Sequence, residues 1–377
     1  MNKHVYILFV IILWTQVSFA QLDNSFISDQ ITLNKADSNH WGLSYTNFNY
    51  MRNTEYFNNI EVGRTLFGYQ LNPSLFIQPN NQVKLQAGVF IQSDFGGTPG
   101  YTKVLPTFTL KIKKNSTSFL FGTLEGALAH RLYEPLFDVN SAIERRLENG
   151  FQLKHESKQT FFDLWINWEK FIERGSPFKE QFTAGINFTP VLISNENGFS
   201  VSLPLQGTAF HRGGQIDTDT SNLLMVFNGA TGIAFKKENK THVIDLLQLD
   251  IMTFDFMENS NSGYLPFRNG NAFMTNLSGR AKNLSVMLSY WYGNNFIAPR
   301  GTALYQNVST NKLGLTEPNR QLVFVRFLYN KSLSDGLNIS ARFEPVYDVK
   351  SVLLDYSFSL YISYKLDKVF GKLSPTK

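Results

Sequence analysis

No cysteine occurs anywhere in the 377 residues. The chain therefore has no lipid-attachment thiol, no disulfide framework and no thiolate metal site. Charge is also sparse: Asp, Glu, Lys and Arg make up 17% of the residues, and the formal net charge is +5. No basic stripe gathers on one segment, which argues against a nucleic-acid partner. Long hydrophobic runs are missing too, apart from Val5 to Trp14 near the start. That run is half the roughly 20 residues a membrane helix needs. It follows Lys3 and precedes Ser18 and Ala20, so residues 1–20 read as a cleaved export signal, with the mature chain beginning at Gln21.

The catalytic signatures that short motifs betray are absent as well. The sequence holds no G-x-S-x-G elbow, no H-E-x-x-H pair and no P-loop, so hydrolase, metalloprotease and nucleotide readings lack their usual anchors. His155-Glu156-Ser157 is the nearest thing to a hydrolytic string, but it falls at a turn without a third member. Asp217-Thr218-Asp219 offers two carboxylates for calcium without further oxygen ligands. The glycines of His211-Arg212-Gly213-Gly214 suit a turn. The Asn-x-Ser/Thr triplets at Asn187 and Asn276 fit a polar strand face.

What is abundant is aromatic: 34 Phe and 16 Tyr in a chain of slightly polar mean hydropathy. Apolar and polar residues alternate with the period of a strand that has one apolar face. In Leu354 to Lys365 the set Leu354, Tyr356, Phe358, Leu360, Ile362 and Tyr364 alternates with Asp355, Ser357, Ser359, Tyr361, Ser363 and Lys365. Phe162, Leu164, Ile166 and Trp168 alternate with Asp163, Trp165, Asn167 and Glu169. Phe199 to Ala209 repeats the pattern, with Pro204 demanding a local adjustment.

Strands are expected near 41 to 52, 61 to 78, 82 to 95, 103 to 114, 116 to 127, 148 to 157, 159 to 170, 179 to 193, 198 to 211, 222 to 236, 241 to 254, 267 to 281, 284 to 297, 320 to 331, 336 to 348 and 352 to 366. Their connections alternate in length. Pro79-Asn80-Asn81, Lys114-Asn115, Ser157-Lys158, Asn195-Glu196-Asn197, Glu238-Asn239, Lys282-Asn283 and Ser334-Asp335-Gly336 are short. Those through 96–100, 128–147, 171–178, 212–221, 255–266 and 298–319 are longer, and Val349 to Ser351 breaks the alternation by being short. Aromatics at the long-loop ends, Phe95 and Tyr101, Trp168 and Phe171, Phe254 and Phe256, Tyr292 and Phe296, read as an interfacial girdle.

Alternating strands, short turns against long loops and an export signal resemble the Gram-negative outer-membrane β-barrels, and within them a sixteen-stranded porin. The resemblance rests on pattern and carries no specific motif. It implies an all-β, up-and-down, antiparallel transmembrane barrel of about sixteen strands, with fourteen as the alternative. Residues 21–40 would be a periplasmic segment, 41–366 the barrel and 367–377 a periplasmic tail.

In general porins the connection after the fifth strand narrows the pore. Here it is 128–147, with Arg131, Glu134, Asp138, Glu144, Arg145 and Arg146. Folded inward, these charges would form a constriction; otherwise the segment is a solvated outer loop. A short helix over Asn140 to Arg146 suits either placement. Lys84, Gln86, Asp163, Asn167, Glu169, Arg342 and Glu344 lie opposite the apolar stripes of their strands and are expected to line the lumen. Arg326 has apolar neighbours on both faces and is the candidate to pack beneath a loop or plug.

The function implied is passive diffusion of small polar solutes, with no enzymatic activity, no cofactor and no metal. The partners implied are outer-membrane lipid and, in an oligomer or assembly, further copies or other envelope proteins. The two other readings are a non-conducting structural barrel and, with least support, a lipid hydrolase.

Overall fold

The computed structural model describes residues 23–97, 100–239, 241–260 and 262–373; the export signal read over 1–20 lies outside them. Seventeen strand segments run in order: β1 His40–Glu55, β2 Arg64–Gln78, β3 Val83–Asp94, β4 Lys103–Lys114, β5 Thr117–Thr123, β6 Asn149–Glu156, β7 Thr160–Lys170, β8 Glu180–Ser194, β9 Phe199–Ser202, β10 Leu205–Gly213, β11 Leu224–Glu238, β12 Leu246–Glu258, β13 Asn269–Ala281, β14 Leu284–Asn294, β15 Asn319–Ser334, β16 Leu337–Asp348 and β17 Leu353–Lys372.

β9 and β10 are one stave, because both pair with β8 on one side and with β11 on the other. The interruption falls at Leu203 and Pro204, where proline has no N–H to give the ladder. Sixteen antiparallel staves result. β17 returns to β1, pairing Lys372 with His40 and Tyr356 with Glu55, so the sheet closes on itself and has no terminal edge strand. Closure is what a strand protein in lipid requires, since hydrocarbon offers nothing to an unpaired N–H or C=O. Among the described residues no helix is long and apolar enough to cross a membrane.

Alternation fixes the two faces. On β17, Asp355, Ser357, Ser359, Tyr361 and Ser363 are buried in the lumen, while Leu354, Phe358, Leu360 and Ile362 lie exposed on the outside. This is an outer-membrane barrel: apolar side chains face lipid and the polar ones face inward. With short turns periplasmic and long loops extracellular, β1 begins and β17 ends at the periplasmic rim.

Among the described residues, three segments enter the interior. The first is a strap upstream of β1. Ser363 donates to the Phe26 carbonyl (2.6 Å), Lys111 to that of Ile31 (2.7 Å), and Gln78 to that of Asn34 (2.6 Å). The described part of 21–40, expected in the periplasm, thus enters the barrel, because lumen-facing Ser, Lys and Gln satisfy its backbone. β17 also continues to Lys372, past the expected end at 366, since β1 partners it throughout.

The second segment is the connection from Leu124 to Glu148, which includes the one-turn helix α1 Ser141–Glu144. The third is the connection from Asn295 to Pro318. Leu136, Phe137, Phe296, Ile297 and Tyr305 of these two loops are buried with Phe254, Trp291 and Phe324 of the wall in one apolar cluster. Phe254, Phe256 and Phe296, expected in the girdle, are buried here at 0%, 2% and 0% exposure. On β12 the two phenylalanines share the lumen-facing phase of Gln248, Asp250 and Met252, so they pack inward. Phe95, Tyr101 and Phe171 are exposed, and Trp168 and Tyr292 are less so.

Candidate functional site

Two neighbouring staves are too short to reach the extracellular rim. β5 has 7 residues and β6 has 8, against 12 in β4 and 11 in β7. Pairing of β4 with β5 begins only at Thr109, and pairing of β6 with β7 stops at Asn167. Residues Lys103 to Thr107 of β4 thus have no strand partner on that side, a stretch of roughly 16 Å at 3.3 Å per residue. Three strand spacings separate β4 from β7, about 14 Å at 4.8 Å each. The wall therefore has a lateral notch on its extracellular half. Leu105 shows it: the residue is in phase with buried Thr107, Thr109 and Lys111, yet it is 43% exposed.

Behind the notch lies a cavity of about 400 Å³. Leu105 and Trp168 stand at its membrane side, Lys103, Arg145 and Lys170 toward the outer rim, and His130, Glu148 and Trp165 among its inner walls. The inward loop supplies its floor. His130 ends a 3-10 turn over Ala127–His130 and is clamped between two carboxylates, Nδ1 to Asp163 of β7 (2.8 Å) and Nε2 to Glu148 (2.7 Å). Gln152 donates to both oxygens of Asp163 at 2.9 Å, and the imidazole stacks on Trp165 with centroids 3.7 Å apart.

Burial alone would depress the His130 pKa. The adjacent Glu148 and Asp163 charges and their hydrogen bonds outweigh it and raise the value to about 9. At neutral pH the ring is thus an imidazolium that holds Glu148 in place. Backbone bonds fix the loop: Asn187 donates to the carbonyls of His130 (2.8 Å) and Arg131 (2.9 Å), and Gln206 to that of Arg131 (2.9 Å).

The residues read from the sequence fall into several groups. Asp163 belongs to the His130 clamp. Asn167 accepts from the Asn149 amide (2.9 Å) beside the notch. Glu169 bonds Arg300, which stacks on Phe210. On the opposite wall Glu344 bridges Arg52 (2.9 Å) and Arg326 (3.3 Å). Arg326 also binds Glu134 of the inward loop (2.5 Å) and the Tyr305 hydroxyl (2.7 Å), so it packs beneath a loop.

Arg342 contacts Asn24 of the strap. Lys84 bonds Asp367 (3.1 Å), and Gln86 is half-buried. In the loop, Arg146 forks onto Asp29 of the strap (2.6 and 2.8 Å). Glu144 pairs with Arg64 (2.5 Å), Asp138 accepts from the Asn140 amide (3.0 Å), and exposed Arg145 rests on the Ser141 hydroxyl (3.1 Å).

His155, Glu156 and Ser157 diverge. His155 meets Thr117, Glu156 meets Arg131, and Ser157 closes its own turn with Thr160. Asp217 pairs with Lys179 (2.8 Å). Among the described residues no group of three or more His, Asp or Glu is placed to share a metal ion.

The sequence reading missed His130 and Glu148. The one available signal was a lone histidine in the most charged connection. Its two acids are 18 and 33 residues downstream, spacings without a motif.

Known structures match over nearly the whole chain. The outer-membrane protein OprD of Pseudomonas aeruginosa is 10% identical with a TM-score of 0.52, covering 88% of this chain and 97% of its own. A loop-deletion mutant of OmpT, an outer-membrane protein of Vibrio cholerae, is 11% identical with a TM-score of 0.51, covering 87% and 100%. At such identities the likeness shows the barrel fold alone. No curated protein matches the sequence.

A family model does match, over residues 33–373, and its description is lipid A 3'-O-deacylase-type. This overturns the expectation of a protein without enzymatic activity. That expectation followed from the absence of serine and metal motifs, and the acids and histidine at the notch form no such motif. The match spans the barrel, both inward loops and only the end of the strap, and the chain belongs to the lipid A 3'-O-deacylase-type family.

Proposed function

We propose that the protein hydrolyses an acyl ester of a lipid A-type glycolipid drawn from the outer leaflet through the notch between β4 and β7. The observation that carries this reading is the coincidence of a breach in the lipid-facing wall with a clamped acid–histidine–acid cluster behind it. Phe108, Phe119, Phe121 and Phe151 are exposed on the wall below the notch and give acyl chains an apolar surface. Lys103, Arg145 and Lys170 suit an anionic head group.

Glu148 is the general base. It takes a proton from a water molecule whose oxygen adds to the ester carbonyl carbon, and it returns that proton to the departing sugar oxygen, leaving a fatty acid and an alcohol. His130, held by Asp163 and Trp165, is a positioning residue that fixes the carboxylate.

The test is mass spectrometry of lipid A incubated with the folded barrel. Loss of one acyl chain is expected, and Glu148→Gln should slow it by about 10²–10⁴ with the barrel intact by heat-modifiability. Unchanged lipid with native protein would sink the reading.

A second reading, a passive channel for small polar solutes, is favoured by the sixteen-stave architecture and the polar lumen phase. It requires a continuous path past both inward loops, and stable current steps in a planar bilayer would support it.

A further inference from the structure

Below the inward loop, on the periplasmic side, lies a second cavity of about 640 Å³. Six cations line it: Lys111, Lys113, Arg131, Lys154, Lys158 and Lys236, against Glu125 and Glu156. Lys111 (2.5 Å) and Lys154 (3.2 Å) share the single carboxylate of Glu125. Arg131 (2.6 Å) and Lys154 (3.8 Å) share Glu156. Even with Glu238, which pairs with Lys236 at 2.5 Å, set against that lysine, three positive charges stand in excess. Lys111 and Lys154 are buried at 7% and 6% exposure, where like charges repel more strongly than in water. Ser118, Thr160 and Thr189 add hydroxyl donors.

Backbone geometry contributes a second observation. Arg131 has φ of 54°, a left-handed conformation that non-glycine residues seldom adopt. Its carbonyl is fixed there by Asn187 and Gln206. The reversal gives consecutive residues to different chambers: His130 lines the outer cavity and Arg131 the periplasmic one. Strain held by the surrounding structure marks a position with a task.

We propose that this periplasmic cavity binds a phosphate-bearing anion, either free phosphate or a small phosphorylated sugar, through Lys111, Arg131 and Lys154, with Lys113 and Lys158 drawing it in. The proposal is independent of the deacylase reading, since it concerns the other side of the loop.

The experiment is isothermal titration of the folded barrel in detergent at 0.15 M salt, about an 8 Å screening length, with inorganic phosphate and with glucose 6-phosphate as probes. Saturable one-site binding is expected. It should weaken at least tenfold in the double variant Lys113→Gln, Lys158→Gln, whose sites are exposed and leave folding intact. Arg145→Gln, on the outer cavity, should leave it unchanged. Tighter binding of the sugar phosphate assigns the ligand to phosphorylated sugars, and binding of phosphate alone assigns it to the free ion. Absence of saturable binding by both probes, or equal weakening by Arg145→Gln, overturns the proposal.

Discussion

The two inward loops fill the same barrel by opposite means. The connection from Asn295 to Pro318 presses Phe296, Ile297 and Tyr305 onto Trp291, Phe254 and Phe324, and the wall staves β12, β14 and β15 behind it run for 13, 11 and 16 residues. The connection from Leu124 to Glu148 also contributes apolar groups, but it meets β4 to β7 through charges: Glu125 on Lys111 and Lys154, His130 on Asp163, Arg131 on Glu156. Apolar packing closes space to near-crystal density. A charge network keeps hydrated room around itself, and on that side the wall is breached and both cavities lie. The apolar seal and the charged cavities occupy different arcs of one sheet.

The contrast can be tested on each arc. Trp291→Ala should have the largest effect, about 3–5 kcal/mol of stability by denaturant titration in detergent, because its indole touches Phe254, Phe296 and Tyr305 at centroid distances of 5.4, 5.4 and 5.0 Å. A loss below about 1 kcal/mol would show that the second loop is no seal. Phe358→Arg, on the lipid face away from both loops, should lower folding into vesicles by about 2–4 kcal/mol at the midplane. An unchanged folded yield would break the assignment of the outward face.

The smallest effect is a local one at His130. Its pKa is raised to about 9 in the folded protein from an ordinary value near 6.5. The stabilisation from its proton is therefore complete below pH 6.5 and is lost as pH rises through about 9. Protease cleavage of the inward loop should accelerate over that window in the native barrel and stay flat in His130→Gln. Equal pH profiles would remove the imidazolium clamp.

Much of the barrel was legible in the chain. Strict alternation in 354–365 and 161–170 marks strands with one apolar face, and the alternation of short and long connections marks up-and-down order. Pro204 announced its own break. The girdle was misread at Phe254 and Phe256, because an aromatic on a strand looks alike whether it meets lipid or an inward loop. Phase alone reads Asp163, Asn167 and Glu169 as lumen-facing, but it carries no information about what crosses the lumen to meet them.

The candidate site was hidden for the same reason. His130 binds one acid at its own loop's end and another on the next strand but one, and nothing local couples them. Composition and periodicity determined the outer-membrane barrel, since backbone satisfaction in lipid and a two-residue side-chain period are properties any local stretch of sequence carries. Only the tertiary structure decided that two staves stop short and that a loop and a strap enter the lumen. It alone brought a histidine between two carboxylates, because those outcomes depend on contacts between segments tens to hundreds of residues apart.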